Sequence, residues 1–155
     1  MKPADTRTSR RSDCPVNVAV ELLGDRWSLL VIRDLMFRGY RTYGQMLDSG
    51  EGIATNMLAG RLRKLTAGGV IEATDEGGVR PLYRLTAKGI DLAPVLVELI
   101  LWSVRHEKTV APPALVRRIK KDRSAFIAEV RRSWEEGGSP IISDRLFPEA
   151  TQKSS

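Results

Sequence analysis

Apolar residues recur at helical spacing along most of the chain, punctuated by glycine and proline. The clearest stretch is 53–68, where Leu58, Leu62 and Leu65 fall at i, i+4 and i+7. At about 100° per residue they share one face, while Asn56, Gly60, Arg63 and Ala67 point the other way and Lys64 lies at the edge. That outer face carries an amide, a guanidinium and a glycine, with no long acid and no large hydrophobe. Before it, a first helix is predicted over 15–23, with Pro15 at its first position and Val16, Val20 and Leu23 on one face. Gly24 ends it in a left-handed cap, and Asp25 caps a second helix over 27–37. Trp27 reads as a core anchor or the wall of a ligand pocket, the anchor being favoured. Thr42 and Gln45 fit a capping box that starts a short helix through Leu47, and 48–52 is a turn. Short helix, turn and longer amphipathic helix make a helix-turn-helix pattern.

Gly68 and Gly69 close the long helix. Strands follow over 70–74 and 79–86, joined by a turn with two glycines, and Pro81 belongs at a strand start or on an edge. This hairpin reads as a wing. Thr86 caps a helix over 87–107, in which 11 of the 15 residues from Ile90 to Val104 are apolar. A helix apolar nearly all round is buried on more than one side, so part of it is expected to meet a second subunit. Leu92, Leu96, Leu99, Ile100 and Trp102 are the candidate interface, and Pro94 kinks the helix or breaks its first turn. After Pro112 and Pro113, Leu115, Ile119, Phe126, Val130 and Trp134 keep near-helical spacing across an interruption at Asp122-Arg123. Arg117, Lys121 and Arg131 give that segment a basic face.

Composition narrows the class. The chain has 155 residues, enough for one domain with extensions. Its formal charge of +6 favours an anionic partner, nucleic acid or a membrane surface, over a cationic one. The longest apolar run, near 95–102, is interrupted by Glu98 and too short to span a bilayer. Residues 1–13 are polar and basic with no apolar core, so no secretory signal is read there. With Cys14 as the one cysteine, no intramolecular disulfide forms. A cytoplasmic protein without a membrane partner is expected. The organisation predicted is a flexible basic arm over 1–13, a domain over 14–110 that includes the dimerisation helix 87–107, and a helical extension with a loose tail over 111–155.

In this order and spacing the residues resemble the HxlR family of bacterial winged-helix transcription regulators, relatives of MarR-type regulators. The resemblance runs from Cys14 to about Arg105. It rests on Cys14-Pro-Val, Leu23-Gly-Asp-Arg-Trp27 with Leu29-Leu30, Arg41-Thr-Tyr with Leu47, and Gly52-Ile53 with Leu58 and Arg61-Leu62. Gly69-Val-Ile-Glu72 and Tyr83-Arg-Leu-Thr-Ala-Lys-Gly89 complete it. The fold class expected is mainly α with a small β-hairpin (α+β): a winged helix-turn-helix with a long C-terminal dimerisation helix and an extra C-terminal helix. The resemblance implies a homodimer on operator DNA, with the helix at 55–67 in the major groove and the hairpin around 77–80 at the backbone or minor groove. Many members have Ser-Pro where this chain has Ala54-Thr55, which moves the expected N-cap to Thr55.

The expected double-stranded-DNA contacts follow from side-chain chemistry. Asn56 suits adenine, Thr55 a phosphate or base edge, and Met57 a thymine methyl. Gly60 permits close approach of the sugar-phosphate wall. Arg63 suits phosphate or guanine, and Lys64 phosphate; Arg61 divides between a DNA contact and an intramolecular ion pair. Arg41 and Arg80 are the contacts expected before the short helix and at the wing. Cys14 precedes a helix N-terminus, which favours thiolate, so it reads either as a sensor of oxidants or electrophiles or as a small packed residue, the packed residue being favoured. No catalytic arrangement, metal-ligand spacing or cofactor motif is read, so no enzyme is expected. The function expected is a sequence-specific transcriptional regulator, a repressor by preference, on a near-palindromic operator. A small-molecule effector near Trp27 or Trp102 remains open. The competing class is a winged-helix protein-interaction module.

Overall fold

The computed structural model describes residues 10–138 and 140–141. Most of the expected basic arm and loose tail lies outside those residues. Helix α1, Pro15–Leu23, begins with proline in its first turn and buries none of its residues. Gly24 ends it without the expected left-handed cap: its φ is −79°, and its N–H donates to the Val20 carbonyl at 2.7 Å. Glycine is needed there for space, since a Cβ would lie 2.5 Å from that carbonyl oxygen.

The second helix covers the predicted stretch but changes type within it. Asp25 Oδ1 accepts the Trp27 and Ser28 N–H groups, starting α2, Ser28–Arg33. The segment Asp34–Arg38 then widens into a π-helix, buried throughout, that ends at Gly39 in the left-handed region (φ 68°). Trp27 is partly buried and packs against the core, and the space beside it in this chain is about 10 Å³. Thr42 and Gln45 form the capping box of α3, Tyr43–Leu47.

Helix α4, Thr55–Ala67, buries Leu58, Leu62 and Leu65. Its N-cap is Ala54, not Thr55, because Ala54 is extended (φ −72°, ψ 149°) and Thr55 already belongs to the helix. Strand β1, Ile71–Thr74, pairs antiparallel with β2, Leu82–Leu85, in the register Ile71↔Leu85 and Thr74↔Leu82. The second strand starts later than expected: Gly78 turns the chain at φ 72°, and Pro81 has no N–H to donate. A 3-10 turn, Asp75–Gly77, leads into that loop.

The single helix expected over 87–107 is two. Thr86 Oγ1 accepts the Gly89 N–H to cap α5, Ala87–Ile90, and α6, Ala93–His106, starts afresh with Pro94 in its first turn, where a missing N–H costs no helix bond. The extension is likewise two helices, α7, Pro113–Lys121, and α8, Arg123–Glu135, because Asp122 leaves the helical region and accepts the Ala125 N–H. Leu115, Ile119, Phe126 and Val130 belong to the same core as the leucines of α4. Phe126 meets Phe37 of the π-helix at 6.3 Å between ring centroids, and Trp134 Nε1–H donates to the Leu85 carbonyl at 2.9 Å. The segment beyond 110 therefore supports the base of the hairpin. No helix among the described residues is long and apolar enough to cross a membrane.

Candidate nucleic-acid interface

The α3–turn–α4 unit is fixed from below by Met46, Ile53, Leu58, Leu62 and Leu65, all buried. Tyr43 Oη–H donates to the Thr55 carbonyl at 2.9 Å, tying the start of α4 to α3. The turn between them is held by charge. Arg33 pairs with Asp34 at 2.8 Å and with Glu51 at 2.7 Å, while Arg38 lies 3.4 Å from Asp34 and donates to the Ser49 carbonyl at 3.1 Å. Burial pushes the Asp34 carboxyl up from its ordinary value, with Arg33 opposing the rise.

On the outer face of α4, Thr55, Asn56, Met57 and Arg63 are exposed. Gly60 leaves a shallow gap: a Cβ there would have only Arg63 Nη2 near it, at 3.8 Å. The Asn56 amide oxygen accepts the Met57 N–H at 3.0 Å, and its NH₂ has no partner among the described residues. This bond compensates in part for the absent side-chain cap at Ala54.

Arg61 and Lys64 are turned the other way. Arg61 Nη1 lies 3.3 Å and Lys64 Nζ 3.5 Å from Asp25 Oδ2. Burial opposes ionisation of Asp25, but hydrogen bonds from Ser28 Oγ and the Trp27 and Ser28 N–H groups, together with Arg61, outweigh it. The carboxyl is held well below the usual carboxylate range. Sequence reasoning gave Asp25 only a capping role, and no local spacing reveals its second one. Tyr43 was also missed, for the same reason.

The other two candidates lie beside and on the hairpin. Arg41 pairs with Glu76 at 3.3 Å, and its carbonyl accepts the Tyr83 N–H at 2.8 Å, so it joins the edge of the wing. Arg80 is exposed in the loop before β2. Between the hairpin and α8 runs an open groove of about 670 Å³, lined by Tyr40, Tyr83, Trp134 and the Arg41–Glu76 pair. Cys14 is exposed at the N-cap of α1, where the Asn17 and Val16 N–H groups lower its thiol pKa. Among the described residues no cluster of three or more acidic, histidine or cysteine side chains could hold a metal ion.

The candidate subunit-interface residues separate. Leu99 (41%) and Trp102 (55%) are exposed, Leu92 and Ile100 are half-buried, and Leu96 (6%) is buried inside its own chain. Leu96 is therefore a core residue, and a second copy has no access to it in this packing. Val16 and Val20 on α1 and Val95 on α6, not among the candidate interface residues, are exposed large hydrophobes.

The family model described as HxlR-like helix-turn-helix matches residues 22–110. A protein of Synechocystis, sll1512, named an uncharacterized HTH-type transcriptional regulator, is 43% identical over 86 residues, covering 54% of this chain and 63% of that one. Rv3095 of Mycobacterium tuberculosis, named likewise, is 36% identical over 105 residues, 66% of this chain and 65% of its own. The chain thus spans a little under two thirds of the length of these curated relatives. The crystal structure of PA1607 matches with a TM-score of 0.61 and 37% identity over 66% of this chain and 71% of that one. The reduced form of the transcriptional regulator YodB from B. subtilis matches with a TM-score of 0.52 and 33% identity over 61% and 95%. The fold is a winged helix-turn-helix, mainly α with a small hairpin.

Proposed function

From the premise that the chain belongs to the HxlR-like helix-turn-helix family, we propose that it is a sequence-specific DNA-binding transcriptional regulator, acting as a homodimer and by preference as a repressor. The observation that carries this reading is the outer face of α4. Thr55, Asn56, Met57 and Arg63 stand exposed around Gly60 while the leucines behind them are locked in the core. Hydrogen-bonding groups at the N-terminal end of such a helix are what major-groove readout needs. Arg63 supplies phosphate affinity, and Arg80 reaches the backbone or minor groove beside the hairpin. The homodimer is supported by α1, which is rich in valine and leucine yet buries no residue in its own chain, and by exposed Leu99 and Trp102 on α6.

The exposed Cys14 thiol, with its lowered pKa, supports an electrophile- or oxidant-responsive variant of this function. YodB, a relative 34% identical over 93 residues, is also seen in a quinone-bound structure. Binding of labelled operator DNA to the parent, Arg63→Ala and Asn56→Ala chains tests the assignment. Arg63→Ala is expected to weaken binding on every sequence, and Asn56→Ala to relax discrimination at one base pair. Parent-like binding by both variants would refute the assigned face.

A further inference from the structure

Two of the three cations between positions 60 and 65 of α4 are engaged within the protein. Asp25 Oδ1 is held by the Trp27 and Ser28 N–H groups at 2.9 and 2.8 Å, and Oδ2 accepts from Ser28 Oγ. Ser28 is fully buried, so this carboxylate is anchored to the core at the start of α2. The same Oδ2 faces Arg61 and Lys64 one turn apart on α4. Arg61 is only 25% exposed in its side chain, against an exposed Arg63 on the outer face. Arg61 Nε is buried with no hydrogen-bond partner among the described residues, an unsatisfied donor that carries a desolvation cost.

We propose that Asp25 is a positioning and specificity-determining residue of the recognition helix: it withdraws Arg61 and Lys64 from the phosphates and uses them to fix α4 against α2. This rests on the DNA-binding reading above. Non-specific binding is almost wholly phosphate neutralisation, so each cation held back lowers affinity for random DNA and flattens its salt dependence. Base contacts from Asn56 and its neighbours do not require those two charges to reach the phosphates. Fixing α4 on a core-anchored carboxylate also holds those base-reading groups in one orientation. A carboxylate beside a DNA-reading helix thus favours discrimination over affinity.

The test measures equilibrium binding of the 155-residue chain to a random-sequence duplex, and to a duplex bearing its selected site, across a salt series. Asp25→Asn keeps the side-chain size and an oxygen for the Trp27 and Ser28 N–H groups while removing the charge. It is expected to bind random DNA roughly tenfold more tightly at low salt, with the log–log salt slope steeper by about 0.9 for each cation released. The ratio of selected-site to random affinity is expected to fall. Asp25→Glu, which restores the charge, is expected to return the slope toward the parent's. Arg61→Gln and Arg63→Gln provide a comparison that does not need the Asp25 variant to fold: Arg61→Gln should flatten the slope clearly less. An unchanged or shallower slope for folded Asp25→Asn, or equal flattening by the two arginine variants, would overturn the proposal. A parent chain that binds neither duplex would instead refute the DNA-binding reading itself.

Discussion

Asn56 shows how one residue can belong to both the fold and the site. Its amide oxygen accepts the Met57 N–H where Ala54 supplies no cap. The proposed bidentate contact to adenine needs that oxygen back, so in the proposed complex the side chain would have to turn. Asn56→Ala is therefore expected to cost about 1–3 kcal/mol of discrimination at one base pair, read by competition between single-base operator variants. Asp25 makes a pH prediction. Its carboxyl lies below the usual range when folded, so its contribution to stability is complete above the unfolded value of about 3.9 and is lost as pH falls below it. The difference in thermal midpoint between parent and Asp25→Asn should hold from pH 7 to about 5 and shrink below about pH 4. Gly89 is a packing test. A Cβ there would lie 2.2 Å from the Val70 carbonyl oxygen, so Gly89→Ala should destabilise by about 1–3 kcal/mol in urea unfolding.

At the scale of elements, the helix-turn-helix and wing were legible because their signals are local. The leucine spacing of α4, the Thr42–Gln45 capping box and the glycines before β2 each act within a few residues. What stayed hidden depends on contacts distant in sequence. The π-helix at Asp34–Arg38 faces a turn whose Ser49 and Glu51 complete its charge network. The role of the extension was equally hidden, since neither the spacing of Phe126 and Trp134 nor their chemistry names Phe37 and Leu85 as partners. Leu96 was assigned to a subunit interface because α6 is apolar on several sides, and only packing shows which of its faces the chain itself covers. The extension makes its own prediction: Phe126→Ala should lower stability by about 3–5 kcal/mol, as for a core aromatic of the domain. A near-neutral value in chemical unfolding would mean that 113–135 is merely appended.

For the molecule as a whole, the proposed regulator works as two copies. Helix α1 leaves Val16 and Val20 exposed, and α6 leaves Val95, Leu99 and Trp102 exposed, more apolar surface than a solitary small domain gains from presenting. Leu99→Glu with Trp102→Glu should shift the chain to monomer in analytical ultracentrifugation and weaken operator binding sharply, with the helical circular-dichroism spectrum retained. A two-fold arrangement would present α4 twice, at adjacent turns of the major groove. The measurement that bears most directly on this is selection of bound sites from random duplex DNA by the 155-residue chain at two salt concentrations. The account predicts a repeated half-site with centres about one helical turn, roughly 34 Å, apart, recovered at both concentrations. Recovery of no motif, with binding that disappears as salt rises, would contradict it.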